Sequence, residues 1–147
     1  MQDGAALARR WHRDLLAGGR LSVAEQLCLP TMRAHGPGIP PDAPCGAALA
    51  TSFTRAVRAA FSIDVVVADE VFTAGDRVVV RWTLRGIHVG AFLDFAPTGR
   101  RVELSGIDIF RVVDGRIAEL WQAYDRFGVI APFEPGGSRD WNLRPDD

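Results

Sequence analysis

Apolar and polar positions alternate most regularly between Gly75 and Asp125. Side chains alternate across an extended strand. Arg77, Arg81 and Arg85 therefore share one face of the run Arg77 to His88, and Val78, Val80, Trp82, Leu84 and His88 share the other. Three unpaired arginines are costly to bury, so the Val/Trp/Leu/His face points inward. Further on, Asp114-Gly115 sits between alternating apolar residues and supplies the positive φ angles of a two-residue type I′ hairpin turn. A register follows from that turn: Val113 opposite Arg116, Val112 opposite Ile117, Phe110 opposite Glu119, Asp108 opposite Trp121, Gly106 opposite Ala123 and Leu104 opposite Asp125. One hairpin face then carries Leu104, Asp108, Phe110, Val112, Ile117, Glu119, Trp121 and Asp125. This mixture of aromatic, aliphatic and acidic groups suits the lining of a ligand cavity. The other face carries Ser105, Ile107, Ile109, Arg111, Ala118, Leu120, Gln122 and Tyr124, too apolar a strip to leave in water.

Upstream the period changes from two to helical. Residues 3–18 read as a helix capped by Asp3, with Trp11 and Leu15 four apart on the core face, and Gly18-Gly19 ends it. Ser22 with Glu25 forms a capping box for a short second helix through Cys28, closed by Pro30, and Thr31 to His35 reads as a short strand. Residues 36–46 carry too much Pro and Gly for regular structure. A third helix is expected over 47–60, with Leu49, Phe53, Ala56, Val57 and Ala60 as its apolar stripe. A strand over 63–72 follows. Residues 89–99 form a loop carrying Phe92 and Phe95. The order is helix, helix, short strand, helix, then a meander of four long strands. This predicts an α+β domain in which a curved antiparallel sheet wraps the helices as a cone with an open mouth. Such a cavity is the default binding site. The domain is expected over residues 1–131, with 132–147 as an irregular tail.

The chain has 147 residues and a net charge of −1, enough for one core and without the basic footprint that nucleic-acid binding needs. No apolar run reaches membrane-spanning length, and the N-terminus lacks the apolar stretch of a secretory signal. Cys28 and Cys45 lack metal or redox spacing and suggest reduced cytoplasmic thiols. Three scattered histidines argue against a metal site, and no phosphate loop, dinucleotide fingerprint or nucleophile elbow is present.

The remaining chemistry is acid/base. A carboxyl in an apolar pocket is a candidate for proton transfer. Asp125, beside Trp121 and Leu104 in the expected register, is one candidate; the structural alternative is a strand-end carboxylate in water or capping a turn. Asp108 is buried by pattern and would assist Asp125, or else bond to Trp121 or a helix amide. His88, inward unless a β-bulge intervenes, could orient a substrate carbonyl or be a satisfied core histidine. His35 precedes the Gly-Pro loop and could line the mouth. Trp82, Phe92, Leu104, Phe110 and Trp121 are the expected apolar walls, although tryptophans in such patterns more often belong to the core.

At this point the chain resembles a family. Gly75-Asp76-Arg77-Val78, Gly86-Ile87-His88-Val89-Gly90, Pro97-Thr98-Gly99, Gly106-Ile107-Asp108-Ile109-Phe110-Arg111, Asp114-Gly115-Arg116-Ile117 and Glu119-Leu120-Trp121 leading to Asp125 look like the SnoaL-like polyketide cyclases. These belong to the nuclear-transport-factor-2-like superfamily with its cystatin-like α+β barrel. The resemblance spans about residues 5–130. It implies a cofactor-independent aldol-type ring closure of a hydrophobic, polyketide-like small molecule. It also implies an acid/base role for Asp125 and a homodimer formed sheet to sheet. Relatives with this fold also open epoxides, hydroxylate, isomerise or only bind ligands, so the fold by itself leaves the reaction open. An epoxide-hydrolase-type reaction would use Asp108 and Asp125 together. A non-catalytic ligand-binding domain is the alternative outside enzymes, favoured by a cone filled with side chains.

Overall fold

A computed structural model describes residues 3–126 and Val129. The expected tail 132–147 lies outside the described residues. α1 (Gly4–Arg10) is capped by the Asp3 side chain, which accepts from the Ala5 N–H at 3.2 Å, and it runs directly into a π-helical segment, Trp11–Ala17. A 3₁₀ turn (Leu21–Val23) leads to α2 (Ala24–Leu27), β1 (Cys28–His35), α3 (Gly46–Ala60), β2 (Phe61–Ala74), β3 (Arg77–His88), β4 (Arg101–Val113) and β5 (Arg116–Tyr124). The five strands form one curved sheet in the order β1-β5-β4-β3-β2. The four long strands pair antiparallel, whereas β1 pairs with β5 in parallel. The fold is α+β, with the helices packed inside the curve of the sheet. Among the described residues no helix is long and apolar enough to cross a membrane.

The core lies between the concave face and α1, the π-helical segment and α3. Leu7, Trp11 and Leu15 meet Val80, Phe110, Ile117 and Leu120 there, all essentially buried. β3 behaves as its alternation requires: Val78, Val80, Trp82, Leu84 and His88 are buried, while Arg81 and Arg85 are exposed and paired to Glu70 and Glu103.

The hairpin departs from the expected register one step beyond its turn. Asp114 and Gly115 have φ of 52° and 73°, as a type I′ turn demands, and Val113–Arg116 and Val112–Ile117 pair as read. The next pair is Arg111–Glu119, which leaves Ala118 as the extra residue of a β-bulge. Every later pair is shifted: Phe110–Leu120, Ile109–Trp121, Asp108–Gln122, Ile107–Ala123 and Gly106–Tyr124. A shift of one residue turns a whole strand over. The cause is local. Ile117 and Leu120 are both fully buried, and residues three apart cannot share a face of a regular strand unless one extra residue intervenes.

Candidate active site

The bulge decides what the cavity contains. Leu120, Gln122 and Tyr124 join Asp108 on the concave face, while Glu119, Trp121 and Asp125 move to the convex one. Asp125 lines a shallow depression with Arg81, Ser105, Ile107 and Ala123, and its N–H donates to Ser105 O at 2.9 Å. The expected placement of Trp121 and Asp125 in the cavity is thus corrected. The same correction applies to the convex strip, which carries Ile107, Ile109, Trp121 and Ala123 rather than Leu120 and Tyr124. His35 also stands outside. Its ring stacks on Trp121 with 5.7 Å between centroids, its Nε2 lies 2.6 Å from Glu119 Oε2, and Arg111 donates to the other Glu119 oxygen at 3.2 Å. The Arg77 guanidinium lies 5.2 Å from the Trp121 ring centroid, within cation–π range. Hydrogen bonding from His35, with the Arg111 bond as a further contribution, holds the Glu119 carboxyl below its ordinary range.

Inside the cone a chamber of about 30 Å³ is lined by Trp82, Leu84, Phe92, Leu104, Asp108 and Gln122, with Leu16, Phe53, Val57, Phe61 and Tyr124 completing its wall. Of the expected wall residues, Trp82, Phe92 and Leu104 are there. Phe110 is fully buried one layer away, edge-on to both Trp11 and His12. His88 is inward and fully buried but does not line the chamber. Its Nδ1 accepts from the Thr98 N–H at 3.2 Å, so its proton sits on Nε2.

Asp108 is the one carboxylate lining the chamber among the described residues, and it is 1% exposed. Its Oδ2 lies 2.8 Å from Nε2 of His12, itself 2% exposed. His12 Nδ1 lies 2.9 Å from Ala8 O. A carbonyl only accepts, so Nδ1 carries a hydrogen, and one further proton lies between Nε2 and Oδ2. Removing that proton would set a nitrogen lone pair against a carboxylate oxygen. The other oxygen, Asp108 Oδ1, is buried without a protein hydrogen-bond partner among the described residues, as are Gln122 Oε1 and Trp82 Nε1. Buried polar groups are nearly always satisfied. Among the described residues these three belong to residues lining the chamber, whereas Trp11 Nε1, Thr54 Oγ1 and His88 Nε2, also without a partner, do not. Among the described residues no three His, Cys, Asp or Glu side chains converge as metal ligands do.

Sequence reasoning passed over His12 and Gln122. His12 had a readable signal: it is four residues after Ala8 and four before Leu16, both buried, so a polar residue stood in a core stripe. The π-helical segment that carries it is a geometry concentrated at functional sites. Gln122 had no such signal, because its face depends on the bulge at Ala118.

The helices and the curved sheet thus bury an Asp108–His12 pair, with Asp108 on the wall of an apolar chamber. The SnoaL-like polyketide cyclase family model matches residues 6–131, and the chain belongs to that family. Solved structures agree on the fold. TsrD from Streptomyces laurentii superposes with a TM-score of 0.73 at 24% identity over 89% of this chain and 96% of its own. IdmH from Streptomyces antibioticus does so with 0.72 at 23% identity, over 88% and 97%. A SnoaL-like polyketide cyclase from Agrobacterium tumefaciens gives 0.73 at 14% identity, over 89% and 98%. A search of curated proteins found no match.

Proposed function

We propose that this chain is a cofactor-independent acid/base enzyme that closes a ring on a hydrophobic, polyketide-like small molecule by an aldol-type step, with Asp108 as its catalytic group. The observation that carries the reading is the Asp108 carboxylate on the wall of an apolar chamber, held by His12 through one oxygen and with the other lacking a protein hydrogen-bond partner among the described residues. In the first step Oδ1 removes a proton from the carbon between two carbonyls. The enolate carbon then attacks a second carbonyl of the same molecule, and the resulting alkoxide takes the proton back from Asp108. Atoms balance and the net change is an isomerisation. His12 is a positioning residue that keeps Oδ2 occupied and the carboxyl plane fixed. The Trp82 Nε1–H and the Gln122 amide are the donors available to the developing enolate oxygen.

The family pattern pointed to Asp125 for this role. Its place on the convex face, away from the chamber, moves the proposal to Asp108. Epoxide opening by Asp108 and Asp125 together loses support for the same reason, since the two stand on opposite faces of the sheet. The test uses an aromatic polyketide methyl ester with an enolisable side chain. Asp108→Asn is expected to lose ~10²–10⁴ in kcat, and Asp125→Asn to stay within a few-fold of the parent. The reverse pattern would restore the Asp125 assignment.

The same proposal includes a homodimer through the convex face, where Phe72 is 55% and Ile107 47% exposed beside exposed Val65 and Val67. Ile107→Asp is expected to convert the dimer to a monomer in light scattering; a parent protein that is already monomeric at micromolar concentration removes this part. The free thiols of Cys28 and Cys45 support a reducing, cytoplasmic setting.

A further inference from the structure

The chamber that holds Asp108 is too small for the molecule proposed to react in it. At about 30 Å³ it accommodates one or two waters, whereas ligand pockets typically run to roughly 300–1,000 Å³. A second hollow of about 340 Å³ lies beside it, under the loop 38–44 and along α3. Among the described residues Phe53 is the one side chain that lines both. It is only partly buried, and its ring stacks on Trp11 at 6.4 Å between centroids. The loop over the second hollow is held at two points, one of them a chamber residue. Tyr124, a chamber residue, donates its hydroxyl to Pro37 O at 2.9 Å, and Gly38 packs against Leu93, where even a Cβ would come within 2.7 Å of the leucine side chain.

We infer that the two hollows are one binding site divided by Phe53. Rotation of that ring away from Trp11 joins them, so that a polar head reaches Asp108 while an apolar extension lies along Ile39, Pro40, Pro44 and Leu49. No charged side chain lines the outer hollow among the described residues, so the extension it takes is neutral. The ligand class is therefore an elongated neutral molecule with its polar groups gathered at one end, and Phe53 is the residue that sets how it passes inward. This inference rests on the chamber being the substrate site but makes no use of the chemistry at Asp108.

The probes are phenol and 4-propylphenol, titrated into the full chain and followed through the indole N–H resonance of Trp82. At full burial each methylene strengthens binding about fourfold, so the propyl compound is expected to bind up to roughly 60-fold more tightly than phenol. Ser52→Trp fills the outer hollow from an exposed helix position. It is expected to weaken 4-propylphenol binding far more than phenol binding and so to remove that advantage. Phe53→Leu keeps an apolar side chain on the helix and is expected to raise the association rate of both compounds at least tenfold. Equal affinity of the two phenols, failure of either to bind, an advantage that survives Ser52→Trp, or unchanged association rates in Phe53→Leu would each overturn the inference. Asp108→Asn separates the two readings: should it keep full ring-closing activity while the phenols follow this pattern, the catalytic assignment fails and the divided site stands.

Discussion

Replacing Asp108 by asparagine removes a charge but almost no volume, so its two consequences can be worked out separately. The first is stability. Oδ2 and His12 Nε2 are 2.8 Å apart and both residues are buried. Hydrogen bonds to charged groups contribute about 1.5–3 kcal/mol and neutral ones about 0.5–1.5. An asparagine that keeps a neutral bond to His12 should therefore cost about 1 kcal/mol, or a drop in Tm of roughly 2–4 °C for a chain of this size. Native stability is typically 5–15 kcal/mol, so the variant remains folded at 25 °C. The second consequence is catalytic. Losing the proton acceptor removes ~10²–10⁴ in rate, about 2.7–5.4 kcal/mol of barrier. The catalytic loss exceeds the stability loss, and the two are read by different assays: thermal denaturation followed by circular dichroism, and single-turnover conversion of the polyketide ester. Asp108→Leu sharpens the contrast, because it leaves the buried His12 nitrogen with no acceptor or donor and should cost about 1–3 kcal/mol. An Asp108→Asn protein that melts normally and turns over substrate within threefold of the parent would refute the reasoning, since no other carboxylate among the described residues lines the chamber.

Gly106→Ala should destabilise the protein by about 1–3 kcal/mol in urea titration, because the new Cβ would meet Trp82 Cζ2 at 2.5 Å and the backbone oxygen of Ala123 at 2.7 Å. An unchanged midpoint would show that the Trp82 ring shifts freely. Glu119→Gln should lower Tm at pH 7, and the difference should shrink as pH falls below 4.5. The carboxyl is depressed below its ordinary 4.5 by the His35 hydrogen bond first, with a further contribution from the Arg111 bond, so its contribution is present above pH 4.5 and is lost as pH falls through the lower folded value. A Tm gap that does not shrink on acidification would show that Glu119 acts through shape rather than charge. Burial pushes the Cys28 thiol up to about 12, while Cys45 is exposed. Thiol alkylation of the native protein at pH 8 should therefore add one label, at Cys45, and rapid labelling of Cys28 would indicate that β1 opens readily.

The order of elements, the strand orientation of β3 and the hairpin turn were all legible in the residues themselves, because each rests on local periodicity or on the backbone demands of one dipeptide. Three arginines spaced four apart on one strand face settle which face of β3 meets water wherever the strand lies, and Asp114-Gly115 dictates a turn from its own φ preferences. The SnoaL-like resemblance was equally legible, since it is carried by short motifs spread along the chain. The face of β5 was not. It depends on one unpaired residue, Ala118, and that bulge exists because Ile117 and Leu120 both find room in a core assembled from α1 and the π-helical segment. From that single shift follow the exchange of Trp121 and Asp125 for Leu120, Gln122 and Tyr124 inside the cone, and the loss of the carboxylate pair that the regular register had brought together. The partnership of His12 with Asp108 spans 96 positions of sequence, and no local pattern encodes it. It arises when helix and sheet close on each other and the only low-cost way to bury an imidazole and a carboxylate is against one another.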